Sequence, residues 1–290
     1  MIPIYIYHLG NQDYLKKCIE INALRNKVYL IGDTSNQETF VGNPNVIHIH
    51  VDSFEGDDMN EINRMKACFV NYSTNPYAYE LSCFLRVFYL DLLMKRTGIT
   101  RFFHADSDCI VLEDLSKLPF NSQTSIHYSL QKFCQQRKPF HMVGSIHNSL
   151  LNPEFCSKFM QLCFDVYENG TKFHLIEPKI RWHRENNIVG GICDMTFYYL
   201  MYSEGIVDVT DLNEIIVFDA EPCIFDHQVT GPYGYLGENT YKMTRGYKDI
   251  LISNHKFYVK TTTNIPVRAL SLHFQGHSKQ ILINLNVKDC

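Results

Sequence analysis

Short apolar runs alternate with segments of helical spacing along the first third of this sequence. The runs at residues 2–9, 27–33 and 45–52 are typical of strands, and residues 12–26 carry apolar positions at the spacing of an amphipathic helix. Further helical segments precede another strand-like run, RFFHA at residues 101–105. This order predicts an α/β fold in which a mixed, mostly parallel sheet is flanked by helices.

Composition and charge exclude several classes of protein. The 290 residues carry a formal net charge of −4 with no long run of Lys or Arg, which argues against a nucleic-acid partner or a polybasic membrane contact. The ten cysteines lie mostly in apolar segments and form no CxxC pair, a pattern typical of reduced, buried thiols. The N-terminal segment lacks the basic start of a signal peptide, and no apolar run reaches the length of a membrane span. We therefore expect a cytoplasmic, soluble protein.

Polar residues follow three of the predicted strands, in HLGNQD, IGDTSN and HADSD. Ligands of open α/β sheets gather at the carboxyl ends of the strands. We therefore expect these three segments to line one crevice.

Two aspartates, Asp106 and Asp108, stand between apolar runs in the stretch RFFHADSDCIVL. Burying a carboxylate is costly unless a positive group compensates it, and an arginine, a backbone turn or a metal ion can do so. Residues two apart at a strand end project to the same side, so this pair can bind a hard divalent cation, which prefers oxygen ligands. Asp-x-Asp occurs once in the chain, but the motif alone is a weak signal. The alternative is a solvated or turn-forming pair.

One arginine, Arg86, lies in a helical segment at residues 78–96 that is apolar on almost every face. Such a helix is buried, and a buried guanidinium requires an anionic partner. That partner is either a structural carboxylate such as Glu80 or Asp91, or a substrate, or the aspartate pair itself.

The C-terminal stretch LHFQGHSK combines a histidine, a glycine and a lysine. His273 ends a strand pattern, Gly276 permits close backbone approach, and Lys279 begins a predicted helix. Imidazole can complete a metal site begun by carboxylates, and a lysine can hold a phosphate as a point charge. A core histidine is the alternative. With the aspartate pair, these residues describe a metal–diphosphate site that neutralises charge on a departing nucleoside diphosphate.

A further aspartate, Asp194, follows two glycines at a predicted helix start in GGICDMT. It is a general base for an acceptor hydroxyl, a group that orients a sugar, or a simple helix cap. We expect acceptor contacts from Gly191 and, in the strand-like GSIHNS, from His147 and Asn148.

These motifs resemble those of metal-dependent glycosyltransferases of the GT-A (Rossmann-like) fold. HADSD is similar to their Asp-x-Asp motif, and FLRVFYLDLL is similar to the segment that leads into it in the glycogenin-like enzymes (family eight), where an arginine at the position of Arg86 contacts the donor. His-x-x-Gly-x-x-Lys resembles the C-terminal motif of those enzymes. Its histidine is a metal ligand there, and its lysine contacts the diphosphate.

The resemblance implies a single GT-A domain over residues 1–290, with 1–115 as the nucleotide-binding half and 116–290 as the acceptor-binding half. It implies a nucleotide-sugar donor, with a UDP-sugar expected, a glycan or glycoconjugate acceptor, and Mn²⁺ or Mg²⁺ bound by Asp106, Asp108 and His273. The expected donor contacts are His8, Leu9, Gly10, Asp33, Arg86, Ser107, Gly276 and Lys279.

Two other classes stay open on the residues alone. A sugar-phosphate nucleotidyltransferase uses a similar sheet and acidic site but usually has a Gly-rich loop after the first strand, where this chain has only Gly10. A non-enzymatic metal- or carbohydrate-binding protein accounts for the acidic pair but leaves Arg86 and Lys279 without a diphosphate.

Overall fold

Strands and helices alternate through the computed structural model, which describes residues 2–120, 126–131, 140–231 and 240–290. The helices are α1 (Asp13–Asn22), α2 (Asn60–Cys68), α3 (Tyr77–Thr97), α4 (Pro153–Tyr167), α5 (Glu177–Glu185), α6 (Asp194–Ser203) and α7 (Lys279–Asn284). The strands are β1 (Ile4–Tyr7), β2 (Val28–Gly32), β3 (Val46–His50), β4 (Phe102–Ala105), β5 (Cys109–Val111), β6 (His127–Leu130), β7 (Gly144–Leu151), β8 (Thr210–Asp211), β9 (Ile216–Phe218), β10 (Glu221–Phe225), β11 (Met243–Thr244), β12 (Tyr247–Lys248), β13 (Ile250–Ser253), β14 (Lys256–Lys260) and β15 (Pro266–His273).

The central sheet has the strand order β3-β2-β1-β4-β7-β6-β8 among the described residues. Neighbours from β3 through to β4 run parallel, as do β6 and β8, whereas β7 is antiparallel to both β4 and β6. The predicted mixed, mostly parallel sheet flanked by helices is therefore confirmed.

Alternating residues of the central strands pack into two apolar cores, one on each face of the sheet. On β1, Tyr5 packs in a core with α3, α4 and α6, whereas Ile4 and Ile6 pack in a core with α1. This alternation follows from the two-residue period of a strand. Because both faces are covered, the strands are apolar almost throughout, as parallel strands usually are.

A second sheet, order β13-β14-β15-β10-β9, packs into the same core as α1, and its strand β15 also pairs with β5. Apart from the parallel pair of β10 and β15, its strands are antiparallel. Sequence reasoning found only β15 of this sheet. Its position matters because β15 carries the C-terminal motif to the edge where β4 ends.

Several local features agree with the sequence. Asn152 caps α4, with its side-chain oxygen accepting a hydrogen bond from the Phe155 N–H at 2.9 Å. No disulfide joins any two of the nine cysteines within the described residues, and Cys134 lies outside those residues. Of the helices described, none combines the length and the apolar character needed to cross a membrane.

Candidate active site

The Asp-x-Asp segment forms a tight turn between β4 and β5. The Asp106 N–H donates to the His147 carbonyl on β7 at 3.0 Å, and the Cys109 N–H donates to the Asp106 carbonyl at 2.9 Å. The chain is thus fixed on both sides of Asp108, which holds both carboxylates at the carboxyl end of the sheet.

Strand pairing brings the C-terminal motif to this turn. In the antiparallel ladder of β5 and β15, Cys109 lies opposite His273, and the Phe274 N–H donates to the Asp108 carbonyl at 2.9 Å. The Nε2 atom of His273 consequently lies 3.2 Å from an oxygen of Asp108. Residues more than 160 positions apart along the chain are neighbours because of this register.

Asp106, Asp108 and His273 form a candidate metal site. One potential ligand atom from each lies within 4.8 Å of the other two. His273 Nδ1 donates to the His227 carbonyl at 2.6 Å, which leaves Nε2 facing the carboxylates as a ligand. Two carboxylates and one imidazole are a donor set suited to Mn²⁺ or Mg²⁺ with further positions open. The residues therefore fit the implied ion.

Arg86 connects the metal site to Asp194. Its guanidinium is paired with Asp106 and donates to Oδ2 of Asp194 at 2.7 Å, and the Tyr198 hydroxyl donates to the same oxygen at 3.2 Å. Of the partners considered from the sequence, Asp106 of the aspartate pair is the one found, whereas Asp91 pairs with Lys95 and Glu80 with the Asn75 amide. Burial opposes ionisation of both Asp106 and Arg86, but the attraction between their opposite charges is stronger. The pKa of Asp106 is therefore lowered and that of Arg86 is raised.

Lys279 pairs with Asp108, the aspartate of the motif that Arg86 does not contact. Its ammonium is 3.1 Å from Oδ2 of Asp108 and 4.3 Å from the ring centre of Tyr14. Burial lowers the pKa of Lys279, but the nearby Asp108 carboxylate outweighs this and raises it, so the side chain is a cation at neutral pH. Gly276 has a left-handed φ of 61°, which allows the short turn between His273 and Lys279.

These groups surround one cavity of about 650 Å³, called here the main cavity, at the carboxyl ends of β1 and β4. This volume suits a ligand larger than a single sugar ring. The predicted site residues that line it are His8, Leu9, Arg86, Asp106, Ser107, Asp108, Asp194, His273 and Lys279.

Asp33 and Gly10 lie behind the cavity lining. The Gly10 N–H donates to the Asp33 carboxylate at 2.8 Å, and the Ser35 N–H donates to it at 2.9 Å. Partial burial raises the pKa of Asp33, but these hydrogen bonds together lower it below its usual value. Asp33 therefore fixes the loop that presents His8 and Leu9 to the cavity.

His147 and Asn148 do not reach the main cavity, although the sequence suggested acceptor contacts for both. The His147 ring stacks on His273 with ring centres 4.4 Å apart, and Asn148 donates to the Asp226 carbonyl at 3.1 Å. Both are buried because β7 is an internal strand covered on both faces. Gly191, the third predicted acceptor contact, lines a separate, adjoining cavity.

Sequence reasoning missed three groups of this site. His227 fixes the His273 ring through its carbonyl, Tyr198 holds Asp194, and Ser145 lines the main cavity and hydrogen-bonds to His147 at 2.6 Å. Only His227 carried a usable signal, because it follows the end of the apolar run that forms β10, as the Asp-x-Asp pair follows β4.

Comparisons with known proteins give structural matches only. No protein-family model matches the chain, and no curated protein sequence matches it. Among solved structures the chain is similar to mouse xyloside xylosyltransferase 1 in its apo form, at 13% identity and a TM-score of 0.44 over 73% of this chain and 85% of that one. It is also similar to the galactosyltransferase LgtC with donor and acceptor sugar analogs, at 11% identity and a TM-score of 0.42 over 73% of each chain. A cytidylyltransferase from Leptospira borgpetersenii matches at 9% identity and a TM-score of 0.30, over 64% of this chain and 71% of that one. We base no assignment on similarity at these levels.

Proposed function

We propose that this protein is a metal-dependent glycosyltransferase of the GT-A fold, which transfers a sugar from a nucleotide-sugar donor, most simply a UDP-sugar, to a hydroxyl of a glycan or glycoconjugate. The observation that carries the proposal is the convergence of Asp106, Asp108 and His273 with Lys279 in the main cavity. Carboxylates and an imidazole are suited to a divalent cation, and a cation beside them is suited to a diphosphate.

The donor diphosphate would lie beside the aspartate pair and Lys279, in the part of the main cavity that these groups line. A Mn²⁺ or Mg²⁺ ion held by Asp106, Asp108 and His273 would supply electrostatic stabilisation of the departing diphosphate. Lys279, which lines the same cavity, would contribute a second positive charge to the phosphates. His8 and Leu9, which line the same cavity at the end of β1, are placed to contact the nucleoside.

Asp194 would act at the sugar end of the donor. Its carboxylate is oriented by three donors, since Oδ2 accepts from Arg86 and Tyr198, and Oδ1 accepts from the Met195 N–H at 2.8 Å. It lines the main cavity at the start of α6, next to Cys193 of the adjoining cavity. A carboxylate held there is placed to hydrogen-bond the hydroxyl that receives the sugar.

The test is product release from a panel of UDP-sugars with Mn²⁺ present. We expect UDP release with at least one donor, and loss of that release with EDTA. A parallel reaction with nucleoside triphosphates and sugar 1-phosphates tests the nucleotidyltransferase alternative. Pyrophosphate release there, without UDP release from any UDP-sugar, would contradict the proposal.

A further inference from the structure

A second cavity of about 310 Å³ adjoins the main cavity and is called here the Trp182 cavity. His141 lines both cavities. On α3, Glu80 lines the Trp182 cavity while Cys83, nearly one turn later, lines the main cavity. A ligand in the second cavity would therefore lie beside the reacting groups of the first.

One wall of this cavity is aromatic. Trp182 on α5 lies with its ring centre 6.2 Å from that of Phe140 and 5.1 Å from that of His183, and all three line the cavity. Trp182 is partly exposed, so its ring is available to a ligand. Flat aromatic faces of this kind bind apolar surfaces of similar size.

The rest of the lining includes two buried charged side chains that are not paired with each other. Lys179 is 5% exposed and donates to the Thr196 hydroxyl at 2.9 Å and the His141 carbonyl at 3.4 Å, with no carboxylate partner among the described residues. Glu80 is 1% exposed; one oxygen accepts from the Asn75 amide at 2.7 Å, and the other, Oε2, is buried without a hydrogen-bond partner in the described part of the chain.

Both charged groups lie close to the reacting end of the main cavity. Lys179 is hydrogen-bonded to Thr196, two residues after Asp194 on α6. Glu80 lines the Trp182 cavity together with Cys193, the residue before Asp194, and burial raises the pKa of the Glu80 carboxyl.

We propose that the Trp182 cavity binds a neutral sugar ring of the acceptor, with one face of the ring on Trp182 and its hydroxyls bonded to Glu80 and Lys179. This inference rests on the proposed function, because an acceptor here would present its hydroxyl to Asp194. The cavity lies at the small end of the range for ligand sites, which suits one sugar ring rather than a nucleotide.

The pair of opposite charges selects the class of ligand. An anionic ligand would be repelled by Glu80, and a cationic ligand would be repelled by Lys179. A polyol both donates and accepts hydrogen bonds, so it satisfies the unpaired Oε2 of Glu80 as well as the ammonium. It also offers an apolar face to the indole, which an inorganic ion does not.

The test uses the fact that Trp182 is the only tryptophan in the chain. Its fluorescence therefore reports on this cavity without any label. We expect methyl glycosides of glucose, galactose, mannose, xylose or N-acetylglucosamine to change the emission saturably, with at least one sugar giving a clear isotherm. Unchanged emission with every glycoside in this panel would overturn the proposal.

Variants connect the signal to the lining residues. Glu80→Gln should weaken glycoside binding by roughly 10- to 100-fold, as for a hydrogen bond to a charged group. Glu185→Gln, an exposed position on the same helix as Trp182, is the matched control and should leave it unchanged. Equal affinity in the Glu80→Gln variant and the wild type would contradict the assigned contact.

The same experiment separates this inference from the proposed function. Saturable glycoside binding, with no binding of UDP at the main cavity, would support a sugar site and reject the transferase. UDP binding and sugar transfer, with the Trp182 emission unresponsive to the acceptor that is used, would support the transferase and reject this cavity as the acceptor site.

Discussion

The main cavity and the Trp182 cavity adjoin each other but differ in whether their buried charged side chains are paired. In the main cavity each carboxylate faces a cation: Asp106 and Asp194 face Arg86, and Asp108 faces Lys279. In the Trp182 cavity, Lys179 and Glu80 are buried without an ionic partner among the described residues. Paired charges suit a charged ligand that exchanges partners with them, whereas unpaired charges beside an aromatic ring suit a neutral polar ligand. Under the proposed function, the main cavity would bind the donor and the Trp182 cavity the acceptor.

The largest expected effect comes from breaking the metal site. Asp108→Asn removes one anionic ligand while keeping the shape of the side chain, so the ion that offsets the charge of the diphosphate is lost. We expect transfer to fall on the order of 10³-fold, which corresponds to several kcal/mol of transition-state stabilisation. Initial rates of UDP release measure this. The control is Asp114→Asn, at a residue that caps a short 3₁₀ turn and pairs with Lys117, outside the main cavity lining. Activity near that of the wild type in Asp108→Asn would contradict the metal assignment.

The next effect concerns the ion pairs of Arg86. Arg86→Met leaves the buried Asp194 without its cation, and we expect the free energy of unfolding to fall by about 3 kcal/mol. Combining it with Asp194→Asn should restore part of the loss, because the unpaired charge is then removed. Urea unfolding measures both variants. Arg64→Met, which breaks a surface pair with Glu168, should change stability far less.

A smaller effect is expected at Lys279. Lys279→Met removes one point charge from the diphosphate region, and UDP affinity should fall about tenfold, with a weaker dependence on salt than in the wild type. Calorimetric titration at two salt concentrations measures this, with Lys288→Met on the exposed C-terminal turn as the control. If Lys279→Met bound UDP as tightly as the control, the lysine would have no role in diphosphate binding.

The smallest expected effect is an increase in stability, and it concerns Lys179 in the Trp182 cavity. Burial lowers the pKa of Lys179, so the charged side chain costs stability in the folded state. Lys179→Met should therefore raise the free energy of unfolding by about 1 kcal/mol at neutral pH, after the loss of its two hydrogen bonds. The difference in free energy of unfolding between the variant and the wild type should decrease only between two pH values. It begins to decrease at the pKa of Lys179 in the folded protein, and it is lost near the ordinary lysine pKa, where Lys179 is neutral in the unfolded chain as well. Destabilisation by this variant at neutral pH would contradict the inference that the buried charge of Lys179 costs more stability than its hydrogen bonds provide.

The main cavity was largely predictable from sequence because its chemistry lies at strand ends. Asp106 and Asp108 follow β4, and His273 ends β15, so polar residues after apolar runs marked the positions of all three. The pairing of β5 with β15, which places Asp108 beside His273, was not predicted. β5 is only three residues long, which is too short to show a two-residue period, and no pattern along the chain records which strand it pairs with.

The Trp182 cavity gave one sequence signal, the predicted acceptor contact Gly191, but no signal for its charged side chains. Glu80 and Lys179 lie about a hundred residues apart on α3 and α5, and neither belongs to a motif with fixed spacing. His147 and Asn148 show the converse problem, because polar residues in a strand suggested a binding role while β7 buries them on both faces. Which cavity a side chain lines depends on packing between distant helices, and a pattern along the chain does not report that packing.

Calorimetric titration of UDP, with Mn²⁺ and then with EDTA, tests the central claim most directly. The account predicts saturable binding that requires the metal and that is lost in the Asp108→Asn variant. The same titration with GDP checks the choice of base. Binding of UDP that is equally tight with EDTA, or no binding of either nucleotide in the presence of Mn²⁺, would contradict the metal–diphosphate site.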